Sequence, residues 1–310
     1  MSTCKRKTSI GGQALIEGIM MRGPVLTAMA CRLPDGSIDL ETWPTMKGHK
    51  KPWYRTTPFF RGIFNMVDSL VTGYGCLMKS ADKSGMDSEE PSKFEKWLAE
   101  KCGADLMKVV GVVAIILGVG LAALLFIVIP TALSSLLKGV VGAGILLSLI
   151  EGLIKIIILV LYMLACSRMQ EIHRVFEYHG AEHKTIACYE AMEPLTVENI
   201  RPQCRFHPRC GTSFIFLVVF ISILVGSFIS WEIPLLRMAL KLLLVPVVVG
   251  IAYELIKLAG RCDNLFTKII SAPGLWLQRI TTFEPDDSMI EVAIAAMSAV
   301  IPEDPNADRW

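Results

Sequence analysis

The sequence predicts an α-helical integral membrane protein with about four transmembrane helices. A small cytosolic α+β module is expected from the N-terminal region, a central loop and the C-terminal tail. Three observations carry that prediction. The 310 residues are 53% hydrophobic with a mean hydropathy of +0.50, above the soluble range. Four apolar stretches are long enough, at about 1.5 Å of rise per residue, to cross a hydrocarbon core of roughly 30 Å. Lysine and arginine are unevenly spread: residues 1–106 carry fifteen, residues 167–211 six and the tail after 256 five, with very few elsewhere. The positive-inside rule places those three segments in the cytosol, which four spans satisfy and five would not.

Residues 1–106 form the cytosolic N-terminal region. Within it GGQALIEGIMMRGP, residues 11–24, brackets an apolar run with glycines and predicts tight turns or close backbone approach. Residues 27–33 and 37–42 alternate partially around Pro34-Asp35-Gly36, which predicts a β-hairpin. Residues 59–78 are apolar but include Arg61, Asn65, Asp68 and Thr72. A full span would bury all four, so the segment predicts an amphipathic helix at the membrane surface, with a fifth span as the alternative. A polar linker over 80–91 leads into an amphipathic helix ending near Cys102.

The first transmembrane hairpin covers residues 107–167. Residues 109–129 are free of charge, and 139–166 are interrupted only by Glu151 and Lys155, four apart and placed to pair. The cytosolic loop 168–210 follows. The second hairpin, 211–257, consists of the apolar stretch 211–231 and of 235–256, with Arg237 and Lys241 near its start, a kink at Pro246 and Glu254 near its end. In the tail, 258–310, Pro273-Gly274 should break the helix leaving the fourth span and leave a helical turn at 275–280. Ser288 to Glu291 spells a capping box for a helix stopping before Pro302, whose positive end suits Glu284, Asp286 and Asp287.

A formal charge of +2 is too small to imply a nucleic-acid partner, and no basic run suggests one, so none is expected. Nine cysteines without regular spacing, in a chain this long, read as reduced thiols facing a cytosol. The apolar stretch after the basic N-terminus is interrupted by Glu17 and Arg22, so no secretory signal is expected.

The chemistry concentrates in FEYHGAEHK, residues 176–184, and RFHPRCGT, residues 205–212. The first reads H-x-x-E-H. On a helix His179 and His183 share one face and can reach a single ion, and Glu182 sits one turn from His179, placed to act as general base. His207 and Cys210, on a turn at Pro208, supply further ligands, and borderline and soft donors suit zinc better than calcium or magnesium. Cys204 leaves the ligand count open, and Glu284 is a weaker candidate. His173, six residues before His179, points to a different side. Four protein ligands would make the ion a structural staple, whereas three with an open position would make it catalytic. Gln13, Glu17 and Arg22 are candidates for substrate contact or for supporting the ligands; a local salt bridge explains the charged pair equally well.

Four motifs, GGQALIEGIMMRGP, FEYHGAEHKTIACYE, HPRCGTSF and LQRITTFEPDDSMIEVAIAAM, resemble the bacterial YqhQ-like family in the same order along nearly the whole chain. These are membrane proteins of unknown function described as predicted metal-dependent enzymes. The resemblance implies a metal and the bacterial inner membrane, and carries over His179, Glu182, His183, His207, Cys210, Glu17 and Arg22. It supplies neither substrate nor reaction, and Cys204 lies outside its motifs.

Three functions follow as expectations: a zinc-dependent hydrolase at the cytosolic membrane surface, a zinc-stapled scaffold or assembly factor, and a small-solute transporter using Glu151, Lys155 and Glu254. Four spans without an internal repeat weigh against transport. The expected partners are membrane lipids and an unidentified substrate, and self-association into a homo-oligomer is left open.

Overall fold

The computed structural model describes residues 6–45, 52–85, 106–142, 144–261, 264–304 and 306–309. The chain is mostly helical, with one four-stranded sheet near its N-terminus. The strands are β1 (Gly11–Leu15), β2 (Gly18–Arg22), β3 (Leu26–Arg32) and β4 (Ile38–Pro44). The main helices are α1 (Phe60–Lys83), α2 (Leu106–Ala123), α3 (Ile129–Leu136), α4 (Ile145–Ser167), α5 (Gln170–Glu190), α6 (Gly211–Ser227), α7 (Pro234–Leu243), α8 (Val245–Arg261), α9 (Leu265–Thr281) and α10 (Asp287–Ser298). The predicted linker over 80–91 is helical as far as Lys83, as the end of α1, and its remainder beyond Gly85 lies with the predicted amphipathic helix up to Cys102 outside the described residues. The chain divides into two compact units, one of Met1–Met86, Tyr162–Val218 and Val249–Trp310, the other of Asp87–Leu161 and Val219–Val248.

In the first unit the strands form an antiparallel meander in sequence order. The predicted hairpin is β3–β4, with Thr27 opposite Trp43, Arg32 opposite Ile38, and Gly36 at φ 85° in the turn. The glycine-rich opening, read from sequence as tight turns or close backbone approach, is a second hairpin with Gly11 opposite Arg22 and Leu15 opposite Gly18. It lacks the usual alternation because both faces of β2 are covered. Ile19, Met21, Ala28 and Ala30 pack on α5 and α10 through Tyr178, Ala181, Met289 and Val292. Met20, Met29 and Cys31 pack on α1 through Cys76 and Leu77.

The N-terminal part of α1 meets α8: Gly62 lies against Tyr253, Asn65 Nδ2 donates to the Tyr253 hydroxyl at 3.0 Å, and Arg61 pairs with Glu254. Phe64, Val67, Leu70 and Val71 stay exposed. Helix α10 begins two residues earlier than the expected capping box, because Asp286 rather than Ser288 accepts from the Met289 amide, at 2.9 Å. Pro273 does not break α9. A proline removes one hydrogen bond from its helix, and here the helix is held by packing, with Gly274 seated directly on Ser213.

The second unit is helical. A π-helical turn over Leu124–Val128 joins α2 to α3 just ahead of Pro130, whose ring would clash with the carbonyl four residues back in a regular helix. Among the described residues two helices are long and apolar enough to cross a membrane, Gly111–Leu136 and Ile145–Ser167. A third counts if Pro234–Leu243 and Val245–Leu258, bent by 49°, are one span; Gly211–Ser227 is apolar but shorter. The bend falls at Leu244, two residues before Pro246, since the missing proline N–H frees a carbonyl one turn upstream.

Candidate metal centre

Helix α5 is buried from Tyr178 onward, against the sheet on one side and α10 on another. Its helical period sets Val175, Phe176, His179, Glu182, His183 and Ile186 in one stripe along a cavity of about 340 Å³. Gly11, Gly12 and Gln13 of β1, His207 and the run from Arg209 to Thr212 line much of the rest. Two glycines permit this. A Cβ on Gly12 would lie 2.8 Å from the Met20 carbonyl oxygen and 2.9 Å from the Glu182 side chain, so β1 can approach α5 only as glycine. A Cβ on Gly180 would collide with the Phe283 carbonyl oxygen, where the chain leaving α9 crosses α5.

That crossing orients the histidines. His179 Nδ1 lies 2.8 Å from the Thr281 carbonyl oxygen and His183 Nδ1 lies 2.6 Å from that of Arg205. A carbonyl only accepts, so each Nδ1 carries a proton and donates, which leaves each Nε2 to face the centre. His179 Nε2 is 3.2 Å from Cys210 Sγ, and the two imidazole centroids are 4.4 Å apart. Donor atoms of His179, His183 and Cys210 all lie within 4.8 Å of one another. Four tetrahedral donors at zinc bond lengths of about 2.0–2.3 Å would be separated by roughly 3.3–3.8 Å. Small side-chain rotations close the set around one ion, so the residues present fit a borderline-soft divalent cation, with the cavity on the open side.

Electrostatics couple His179 to Cys210 as an imidazolium–thiolate pair, from which a bound cation would displace the Nε2 proton. Burial opposes charge on His179, but the Cys210 sulfur outweighs it and raises the imidazole pKa to about 9. Burial likewise opposes the Cys210 thiolate, yet His179 and His183 hold the thiol well below its ordinary 9.0. A deprotonated sulfur beside two imidazoles is the ligand form of this residue. Burial raises the pKa of Glu182, which the neighbouring histidines only partly offset, and Gly12 N–H donates to its carboxylate at 3.1 Å.

The family model described as "Protein of unknown function (DUF1385)" matches residues 57–303. The chain is also 34% identical over 305 residues to "Uncharacterized protein YqhQ" of Bacillus subtilis (strain 168), covering 97% of this chain and 95% of the relative. The chain belongs to the DUF1385 family. No solved structure shows a significant match. The stretch matched by the DUF1385 model contains every candidate ligand, while Gln13, Glu17 and Arg22 precede it.

The other candidates are placed as follows. The His207 ring stands 5.7 Å from that of His183, but its Nε2 faces Arg209 at 3.2 Å and Glu190 at 3.6 Å, so it stands outside the three-donor group. Gln13 lines the cavity. Glu17, at φ 49° in the β1–β2 turn, accepts from Arg174 Nη2 at 2.7 Å and from the Tyr178 hydroxyl at 3.1 Å, locking the turn to α5. Arg22 pairs with Asp68 at 2.8 Å and borders a second cavity of about 340 Å³ that shares Ser9, Gly11, Gly12 and Gln13 with the first. Cys204 is exposed and accepts the Phe206 amide at 3.4 Å. His173 stacks on Phe283, centroids 4.0 Å apart. Glu284 pairs with Lys184 and, at 2.7 Å, with Arg205, steadying the residue whose carbonyl holds His183.

Sequence reasoning missed Glu190, Arg209 and the Thr281 and Arg205 carbonyls. Glu190 follows His183 by seven residues, two helical turns on the same face, and that spacing could have marked it. No local signal marks a backbone carbonyl.

Proposed function

We propose that this protein is a zinc-dependent hydrolase of the bacterial inner membrane, working at the cytosolic face. The observation that carries the reading is the pair of Nδ1–H donations to backbone carbonyls, which turns both Nε2 atoms toward Cys210 at the edge of a cavity that also exposes a buried carboxylate. In this reading α2–α3, α4, α6 and the bent α7–α8 pair are four spans, and both termini face the cytosol, which the lysine and arginine distribution supports. Loop 168–210 joins the second span to the third, and Cys210 immediately precedes α6, which keeps the centre close to the membrane surface.

His179, His183 and Cys210 would hold the ion. When bound, it supplies Lewis acidity toward water and toward the substrate's carbonyl or phosphoryl oxygen. Glu182 accepts the proton of the attacking water. Its raised pKa makes it a stronger base than an exposed glutamate, and the Gly12 N–H fixes the direction of its carboxylate. Thr281 and Arg205 keep both imidazoles in the ligating tautomer. His207, held by Arg209 and Glu190, puts a polar edge on the cavity for the substrate.

The test separates ligand from base. His183→Ala and Cys210→Ser should lose zinc by elemental analysis, whereas Glu182→Gln should keep it and fail to complement a deletion strain. A Glu182→Gln protein that retains zinc and complements fully would sink the hydrolase and leave a zinc-stapled scaffold.

A further inference from the structure

Apart from the candidate metal centre, the helical unit buries four charged side chains together. Glu151 and Lys155 of α4 and Arg237 and Lys241 of α7 are exposed by only 3%, 3%, 1% and 8%. Glu151 is the hub. Its Oε2 accepts from Arg237 Nη2 at 3.0 Å; its Oε1 accepts from Thr131 Oγ1 at 3.1 Å, binds Lys241 Nζ, and has Lys155 Nζ at 3.5 Å. The Arg237 guanidinium lies 3.7 Å above the Trp231 ring, whose Nε1 donates to Ser148 Oγ at 3.2 Å. Among the described residues Glu151 is the one carboxylate within ion-pair distance of these three cations.

One negative charge therefore faces three positive ones in a region shielded from water. A buried charge without a partner costs several kcal/mol, and one carboxylate shared among three cations and a hydroxyl cannot satisfy them all. Among the described residues two buried polar atoms here have no partner, Arg237 Nε and Ser134 Oγ, the latter one helical turn from Thr131. Lys241 Nζ also donates to Thr131 Oγ1 at 3.0 Å and Arg237 Nη1 to the Ile229 carbonyl, so among the described residues what this cluster is short of is negative charge.

We propose that this cluster is an anion site that takes a phosphate group. A phosphate offers acceptor oxygens in several directions. They match the free Nε edge of Arg237, the spare donors of Lys155 and Lys241 and the Ser134 hydroxyl, while Glu151 keeps the three cations in register. The group can arrive as free phosphate or as the headgroup of a phospholipid, and the chemistry of recognition is the same. The site is independent of the zinc reading.

The test uses the full chain, purified in a phosphate-free maltoside detergent, with thermal unfolding followed as ligand is added at constant ionic strength in chloride. One arm adds inorganic phosphate; the other adds phosphatidylglycerol to the micelles, with an uncharged diacylglycerol as control. A saturable rise in Tm is expected in at least one arm. Response to phosphate identifies a free-anion site, and response to phosphatidylglycerol alone identifies a headgroup site. Lys155→Met, which leaves Arg237 and Lys241 on Glu151, should raise the half-saturating concentration at least tenfold. Lys241→Met should do the same and serves if the first variant does not fold. The proposal is overturned if neither ligand shifts the wild-type Tm beyond its control, or if a folded variant responds at the wild-type concentration.

Discussion

Glu190 should make the stability of the first unit sensitive to acid in a calculable way. Its side chain is 7% exposed, accepts the Thr8 amide at 2.7 Å, pairs with Arg209 and lies 3.6 Å from His207 Nε2. Burial alone would raise its pKa, but the His207 hydrogen bond, the Arg209 charge and the Thr8 N–H together bring it from 4.5 to about 2. At about 1.4 kcal/mol for each tenfold change in acidity, that is about 3 kcal/mol of stability. The folded-state value is the depressed one, so the contribution is complete above the unfolded value of 4.5 and is lost as pH falls toward 2. Glu190→Gln removes the charge and keeps the shape. Urea unfolding of the detergent-solubilised chain, followed by near-ultraviolet circular dichroism, should show the variant less stable by about 3 kcal/mol at pH 7. That gap should close between pH 4.5 and 2. A gap that is small at neutral pH, or constant down to pH 2, would refute the reasoning.

Gly12→Ala places a methyl group within 3 Å of the Met20 carbonyl oxygen and of Glu182, so it should cost about 1–3 kcal/mol of stability and reduce complementation, whereas Gly11→Ala, with nothing within 4 Å, should do neither. In phosphate-free detergent Glu151→Ala should destabilise the helical unit by about 3–5 kcal/mol and the double change with Lys155→Ala by less, because fewer cations are left unpaired; additive losses in thermal unfolding would show the two uncoupled. Topology reporters at the C-terminus and after Gly85 should both report cytosol and one near Lys138 the outside; an external signal after Gly85 would overturn the four-span arrangement.

The sequence by itself determined what backbone periodicity and composition can encode. Helical spacing put His179, Glu182 and His183 on one stripe, Pro34-Asp35-Gly36 marked a hairpin, and apolar runs marked the helices long enough for a membrane. These depend on neighbours within a turn or two of chain. Only the tertiary structure decided which imidazole nitrogen faces the centre, because the carbonyl that holds His179 comes from Thr281, 102 residues away. It also turned His207 toward Glu190, carried α9 through Pro273, and brought Arg237 and Lys241 onto Glu151, whose sequence neighbour Lys155 had looked like a sufficient partner. The physical reason is common to all four. A side chain's direction and charge are set by whichever donors and acceptors share its burial, and those are assembled by packing rather than by adjacency in the chain.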